Sequence, residues 1–161
     1  DTRARRVVAL VPGTRLALSS GMRTIPVSEI MTSKVVSVRD DASLTNIDWE
    51  MTLAEIRHVP VVDDRGRVVG ILSDRDLLRT LPRMDRSRLP VSAIMTLTPQ
   101  TVRADLPAME AVELMIQRKV HALPVVDDTG VLVGIVTATD FLDLAYRALA
   151  GHAIDAPRIT A

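Results

Sequence analysis

The chain has 161 residues, 47% of them hydrophobic, and a formal net charge of zero, which suits one medium domain or two small fused ones. It contains no Cys, so disulfides, thiol catalysis and Cys-ligated metals are excluded, and with only 2% aromatic residues nucleic-acid binding is not expected. No apolar run approaches the roughly 18 residues of a membrane span and no signal-peptide anatomy is present. We therefore expect a cytoplasmic protein without a membrane partner.

Residues 1–26 are the exception to the balanced charge. They hold five arginines against one acid, Asp1. We predict a solvated or partly disordered arm. The alternative is a contact with an acidic partner, RNA or a second copy of the chain. The arginines are Arg3, Arg5, Arg6, Arg15 and Arg23.

The sequence aligns with itself without a gap when it is shifted by 64 positions. "VSEIMT" at 27–32 falls on "VSAIMT" at 91–96, and "PVVDDRG" at 60–66 falls on "PVVDDTG" at 124–130. Twenty of about 55 paired positions are identical, far more than chance gives, so the chain contains a duplication. Two copies favour packing around a pseudo-two-fold axis over a solenoid.

In the first copy, the β-branched run "VVSV" at 35–38 predicts a strand. "DDAS" then supplies capping chemistry for a helix. The next apolar runs, "VPVV" and "VVGIL", flank the turn "DDRG" and predict a hairpin over 59–72. A second helix starts at Ser73. The apolar stripe of the first helix is Leu44, Ile47 and Met51.

The second copy repeats this order. Asp105 is predicted to cap its first helix and Pro107 suits the first turn. Each unit is therefore β-α-β-β-α, an α/β arrangement in which two helices cover one face of a three-stranded sheet. The apolar stripe of this helix is Ala108, Ala111 and Met115, widened by Val112.

Each unit ends in a polar motif where a strand meets a helix. "GILSDRDLL" at 70–78 and "GIVTATDFL" at 134–142 both place a hydroxyl three residues before a carboxylate. One interpretation is a capping box, in which the Ser73 hydroxyl accepts from the Asp76 amide and the acid reaches back. The other is a nucleotide site, because helix N-termini bind phosphate and a carboxylate can accept from ribose hydroxyls. The motif alone leaves both open.

The repeats resemble the CBS domain, named after cystathionine β-synthase, which occurs as an intramolecular pair. The resemblance covers about 27–146 and rests on "IMT" opening each copy, on "HVPVVDDRGRVVGILSDRDLL" and on "ALPVVDDTGVLVGIVTATDFL". It implies an α/β (α+β) tandem CBS-domain pair of two β-α-β-β-α units related by pseudo-two-fold symmetry. The expected organisation is a basic arm at 1–26, a first domain at 27–83, a second domain at 91–148 and a tail at 149–161.

By this resemblance the chain is a regulatory sensor that binds an adenosine-containing ligand in the cleft between its two domains and requires no cofactor. The ligand would be AMP, ADP, ATP or S-adenosylmethionine. Asp76 and Asp140 would hold ribose hydroxyls, and Ser73 and Thr137 would contact phosphate or ribose. The family's motif positions are Gly70, Ser73 and Asp76, and Gly134, Thr137 and Asp140.

Residues before the second strand of each copy often supply basic contacts to phosphate in this family. They are Arg57 and His58 in the first copy, against His121 and Ala122 in the second. Arg75 likewise stands where the second copy has a threonine, Thr139, so the first copy carries more positive charge and the two clefts should differ in affinity. The alternative for both histidines is a surface or packed imidazole.

Other positions carry weaker signals. Val36 and Gln100 fall where the family's first strand presents its backbone to adenine, although strand packing explains them equally. With so few aromatics, Val, Ile, Met and Pro side chains would have to sandwich the purine. Met31 and Met95 are candidates for that slot or for the core. We interpret Trp49 as a packing or interface residue.

The sequence shows no nucleophile–base pair, metal-ligand spacing or Gly-rich phosphate loop, so an enzyme is not expected. The leading hypothesis is a ligand-binding regulator. The alternative is a ligand-independent dimerisation module with no small-molecule role. Expected partners are an adenosine-derived small molecule, a second copy in a C₂ homodimer and an effector protein.

Overall fold

The structure is a computed structural model that describes residues 24–80 and 89–151. The predicted arm at 1–26 lies outside this range except for its last three residues, as does most of the tail predicted at 149–161. The first repeat comprises α1 (Val27–Ile30), β1 (Val38–Arg39), α2 (Leu44–Leu53), β2 (His58–Val62), β3 (Val68–Ser73) and α3 (Asp74–Thr80). The second comprises a 3₁₀ turn (Val91–Ala93), β4 (Thr96–Leu97), β5 (Val102–Arg103), α4 (Ala108–Arg118), β6 (Ala122–Val126), β7 (Leu132–Thr137) and α5 (Ala138–Leu149).

The predicted β-α-β-β-α order is confirmed in both repeats. β1 pairs parallel with β2, and β2 pairs antiparallel with β3; β5, β6 and β7 repeat this arrangement. The strand predicted over 35–38 is shorter, because only Val38 and Arg39 align with β2.

The apolar stripes predicted for the first helix of each repeat form the two cores. Leu44, Ile47 and Met51 on α2 are at most 4% exposed, and they pack with β2 and β3. The stripe on α4, at Ala108, Ala111 and Met115, is buried against β6 and β7. The buried residues recur at the 3.6-residue period of a helix, so each helix packs on its sheet through one apolar face.

The prediction that Asp105 caps α4 is wrong. The N-cap is Pro107, and no side chain caps the helix. Instead the Ala108 amide donates to the Ile25 carbonyl at 2.8 Å, so the opening of the first repeat satisfies the first amide of a helix in the second. Asp105 lies 3.7 Å from the Arg103 guanidinium and is exposed.

The opening segments of the two repeats, 25–32 and 89–97, are exchanged. Val27 and Ile30 are buried in the core of the second repeat, whereas Val91 is buried in the core of the first. Backbone bonds fix both crossings: the Thr32 amide donates to Ile135, and β4 pairs antiparallel with β3. Each compact unit therefore contains chain from both repeats.

This exchange changes the sheets expected from the sequence. The first unit has four strands in the order β1-β2-β3-β4, because β4 joins it, and the second has the expected three. The hairpin tips also meet, with the Val68 amide donating to Gly130 and the Leu132 amide to Gly66. The two units are thus joined at their tips, on the opposite side from the strand ends that carry Ser73 and Thr137.

Each hairpin tip is held by an aspartate at its first position. One oxygen of Asp63 accepts from the amides of Arg65 and Arg67, both at 2.9 Å. Asp127 accepts in the same way from the amides of Thr129 and Val131. Gly66 and Gly130 supply the positive φ that these turns require.

Within 24–80 and 89–151, no helix has the length and apolar character needed to cross a membrane.

Candidate functional site

A cavity of about 740 Å³ lies between the two repeats and is lined by both. Its size is within the range of small-molecule sites. Ten of the twelve residues predicted as ligand contacts line it, and Gly70 and Gly134 do not. The ten are Val36, Arg57, His58, Ser73, Arg75, Asp76, Gln100, His121, Thr137 and Asp140.

The first polar corner of the cavity is the junction of β3 and α3. The Asp76 Oδ2 atom accepts from the Ser73 amide at 2.9 Å and from the Ser73 hydroxyl at 2.6 Å. The Asp76 amide in turn lies 3.3 Å from the Ser73 Oγ. Both side chains are half-buried. The capping interpretation of this motif is therefore confirmed.

The second corner repeats this geometry where β7 meets α5. The Asp140 Oδ2 atom accepts from the Thr137 amide at 2.7 Å and from the Thr137 hydroxyl at 2.9 Å, which completes a capping box. In both corners the amide and the hydroxyl of the Ser or Thr donate to the same carboxylate oxygen, Oδ2. An ionised carboxylate has about four acceptor positions, so capping and ribose binding are compatible at one residue.

Backbone hydrogen bonds position one basic residue beside each of these corners. The Asp74 amide donates to the Arg57 carbonyl at 3.1 Å, and the Ala138 amide donates to the His121 carbonyl at 2.9 Å. Each bond ties the residue before β2 or β6 to the first residue of the following helix. The structure therefore places Arg57 and His121 at equivalent positions on the cavity wall.

His58 is the first residue of β2, and its Cα is paired with that of Ser73. Burial lowers the pKa of His58 below its usual value; Asp74 opposes this, while His121 and Arg75 lower it further. A lowered pKa favours the neutral form of the imidazole near pH 7. His121, by contrast, is exposed.

The expected excess of positive charge in the first repeat is absent from the cavity wall. The first repeat contributes three basic and three acidic side chains to the lining, because the acidic residues Glu55 and Asp74 also line the cavity. The second repeat contributes Lys119 and Asp140, again one of each sign. The six charged residues of the first repeat are Lys34, Arg57 and Arg75, and Glu55, Asp74 and Asp76.

Gly70 and Gly134 serve close packing. A Cβ at Gly70 would collide with the side chain of Met95, and one at Gly134 would collide with that of Met31. These methionines belong to the exchanged opening segments and pack against the cores, so they are absent from the cavity lining. The core interpretation of both methionines is confirmed.

Three cavity residues that sequence reasoning missed have a left-handed backbone. Glu55, Thr98 and Lys119 have φ of 52°, 43° and 56°, and among the described residues they are the non-glycine positions with positive φ. Such a conformation costs about 1 kcal/mol or more and concentrates at functional sites. Glu55 and Lys119 follow α2 and α4, where glycine is the usual residue. No sequence pattern marks a non-glycine residue as left-handed.

The family model of the CBS domain matches residues 27–83 and, a second time, residues 91–147. The chain belongs to the CBS-domain family. As a CBS pair it is 36% identical over 134 residues to a CBS domain-containing protein of Dictyostelium discoideum, a match that covers 76% of this chain and 92% of that protein.

Solved structures share the fold of this CBS pair. The CBS domain pair of protein MJ0100, in complex with 5′-methylthioadenosine and S-adenosyl-L-methionine, superposes with a TM-score of 0.69 at 27% identity, covering 75% of this chain and 99% of that one. CBSX2 in complex with AMP superposes with a TM-score of 0.68 at 27% identity, covering 77% and 98%. Both neighbours thus contain adenosine derivatives.

The described residues hold no group of three or more His, Asp or Glu side chains arranged to bind a metal ion.

Trp49 is 67% exposed on α2, so packing within the chain does not explain the presence of a tryptophan at this position. Its role at an interface stays a prediction.

Proposed function

We propose that this CBS pair is a regulatory module that binds an adenosine-containing ligand, such as AMP, ADP, ATP or S-adenosylmethionine, in the 740 Å³ cavity. The observation that carries the proposal is the convergence of two Ser/Thr–Asp corners, one from each repeat, on a single cavity. Structural neighbours that contain AMP or S-adenosylmethionine support the ligand class.

The lining offers a complementary group for each part of such a ligand. Asp76 and Asp140 would accept hydrogen bonds from ribose hydroxyls. Arg57, Arg75 and His121 would contact phosphate oxygens, since charge-assisted bonds of this kind are short and strong. The purine would lie between aliphatic side chains, with the backbone near Val36 and Gln100 as its edge contact. Besides Val36, the larger aliphatic lining residues are Val35, Ile56, Ile71, Pro99, Val120 and Ile135.

Regulation would follow from the shared cavity. The repeats meet at their hairpin tips and through the exchanged opening segments, while the cavity wall draws on both. A ligand that contacts both repeats favours the arrangement in which those contacts are made together, by as much as its affinity differs between arrangements. No catalytic group is needed for this role, and an effector protein would read the change.

Assembly is the second candidate function, and it can accompany the first. Large apolar side chains are exposed on all four long helices, which suits a homodimer with C₂ symmetry. Without a ligand role, the capping boxes alone would explain both aspartates. The exposed residues are Trp49, Leu53, Leu78, Met109, Ile116, Leu142, Tyr146 and Leu149.

A calorimetric titration of the chain with each adenosine ligand separates the candidates. Binding of at least one ligand, weakened in the Asp76→Ala/Asp140→Ala double variant, supports the sensor. If no ligand binds and the chain still forms a dimer by sedimentation, the assembly function stands alone. A monomer that binds ligand would remove the dimer from the proposal and leave the sensor.

A further inference from the structure

His58 breaks the symmetry of the cavity. It occupies the position that Ala122 holds in the second repeat, so the cavity has one half-buried imidazole on a strand and no counterpart opposite. Its Cα is paired with that of Ser73, which places it next to the hydroxyl–carboxylate corner. A titratable side chain therefore lies inside the space that the proposed ligand fills.

The groups around His58 come from both repeats. Asp74, Arg75 and Asp76 act on it from α3, and His121 acts on it from the loop before β6. The other charged groups of the lining are Lys34, Glu55, Arg57, Lys119 and Asp140. Burial is the largest influence on its pKa and lowers it, which favours the neutral imidazole.

An anion bound close to His58 in this cavity would raise the pKa of His58 and so oppose the effect of burial. A phosphate carries about −1.5 to −2 charges near pH 7, and a negative charge within about 4–6 Å of an imidazole favours its protonated form. We propose that binding of a phosphate-bearing adenosine ligand is coupled to proton uptake at His58. Binding of uncharged adenosine is not coupled in this way. This inference rests on the proposed function and assigns it a sensitivity to pH.

The sign of the coupling follows from linkage. Proton uptake occurs between the lowered pKa of the free protein and the raised pKa of the complex, and within that window affinity increases as pH falls, by up to about tenfold per pH unit. Above the window His58 is neutral in both states and makes no contribution. Below it His58 is charged in both states, and the dependence again disappears.

The test is a calorimetric titration with AMP from pH 5.5 to 8.5, repeated in buffers of different ionisation enthalpy to count protons. The phosphate itself titrates near pH 6, so the informative quantity is the difference between wild type and His58→Gln. His152→Gln, which alters a histidine outside the described residues, is the matched control. Adenosine is the uncharged comparison ligand.

We expect wild type and His152→Gln to take up more protons than His58→Gln on binding AMP, with no such difference for adenosine. Equal proton uptake in all three proteins would overturn the inference. If His58→Gln does not fold, the imidazole resonances of wild type are titrated by NMR with and without AMP, and an unchanged His58 titration overturns it as well. Absence of binding by AMP, ADP, ATP and S-adenosylmethionine at every pH would refute the proposed function itself.

Discussion

Asp140 is expected to cap α5 and to bind ribose, and stability measured with and without ligand separates these two roles. Asp140→Ala removes the acceptor of the Thr137 amide and hydroxyl bonds, at 2.7 and 2.9 Å, that start α5. Loss of such a cap costs about 1 kcal/mol of stability without ligand. The same change removes a charged acceptor for ribose, a bond worth about 1.5–3 kcal/mol, which weakens ligand binding tenfold to a hundredfold or more.

The ligand effect can be read as stabilisation against unfolding. At a ligand concentration of 100 times the wild-type Kd, binding at one site adds about 2.7 kcal/mol. After a tenfold loss of affinity the same concentration adds about 1.4 kcal/mol, and after a hundredfold loss about 0.4 kcal/mol. In a chain of this length 2.7 kcal/mol corresponds to a rise in Tm of about 5–10 °C.

The assay is denaturant unfolding with and without AMP for wild type, Asp140→Ala and Ala145→Gly. Ala145 is exposed on the same helix and absent from the cavity lining, and its replacement by glycine costs about 1 kcal/mol. We expect both variants to lose similar stability without ligand, and only Asp140→Ala to lose the ligand increment. Full retention of that increment, also in the double variant with Asp76→Ala, would show that the aspartates only cap their helices.

Three further outcomes concern the framework of the cavity. Gly70→Ala should lower the free energy of unfolding by about 1 kcal/mol through collision with Met95, and cost less in a Met95→Ala background; additive effects in the double-mutant cycle would contradict the contact. Val91→Ala should cost about 2 kcal/mol and increase hydrogen exchange in β2 and β3; an increase confined to its own repeat would refute the exchange of opening segments. Hydrogen bonds from the amide of Arg67 lower the pKa of Asp63, so its contribution to stability is complete above about pH 4 and is lost as pH falls further; acid unfolding curves of equal steepness for wild type and Asp63→Asn would contradict this.

Local sequence signals predicted the elements well. The stripe of Leu44, Ile47 and Met51 and the hairpin turns are set by spacing within a few residues, and the structure confirms them. The exchange of opening segments was not predictable from spacing, because Val27 and Val91 have the same sequence context wherever they pack. The prediction for Asp105 was wrong for the same reason, because the carbonyl of Ile25, distant in sequence, accepts from the first amide of α4.

The sequence predicted the parts of the candidate site that depend on a short local motif. It did not predict the residues whose place in the cavity depends on backbone conformation and on packing between distant elements. The Ser73–Asp76 and Thr137–Asp140 corners follow from a three-residue spacing. Lys119 became visible only in the structure, because its left-handed backbone and its place in the cavity depend on how α4 meets β6. The balance of acidic and basic side chains on the cavity wall likewise could be predicted only once all the lining residues were known.

The central claim is tested most directly by a crystal structure of the chain grown with excess AMP. The account predicts adenosine in the cavity between the repeats, with ribose hydroxyls about 2.5–3.0 Å from the carboxylate of Asp76 or Asp140. A structure at saturating AMP in which the cavity is empty and both carboxylates contact only their own helices would contradict it.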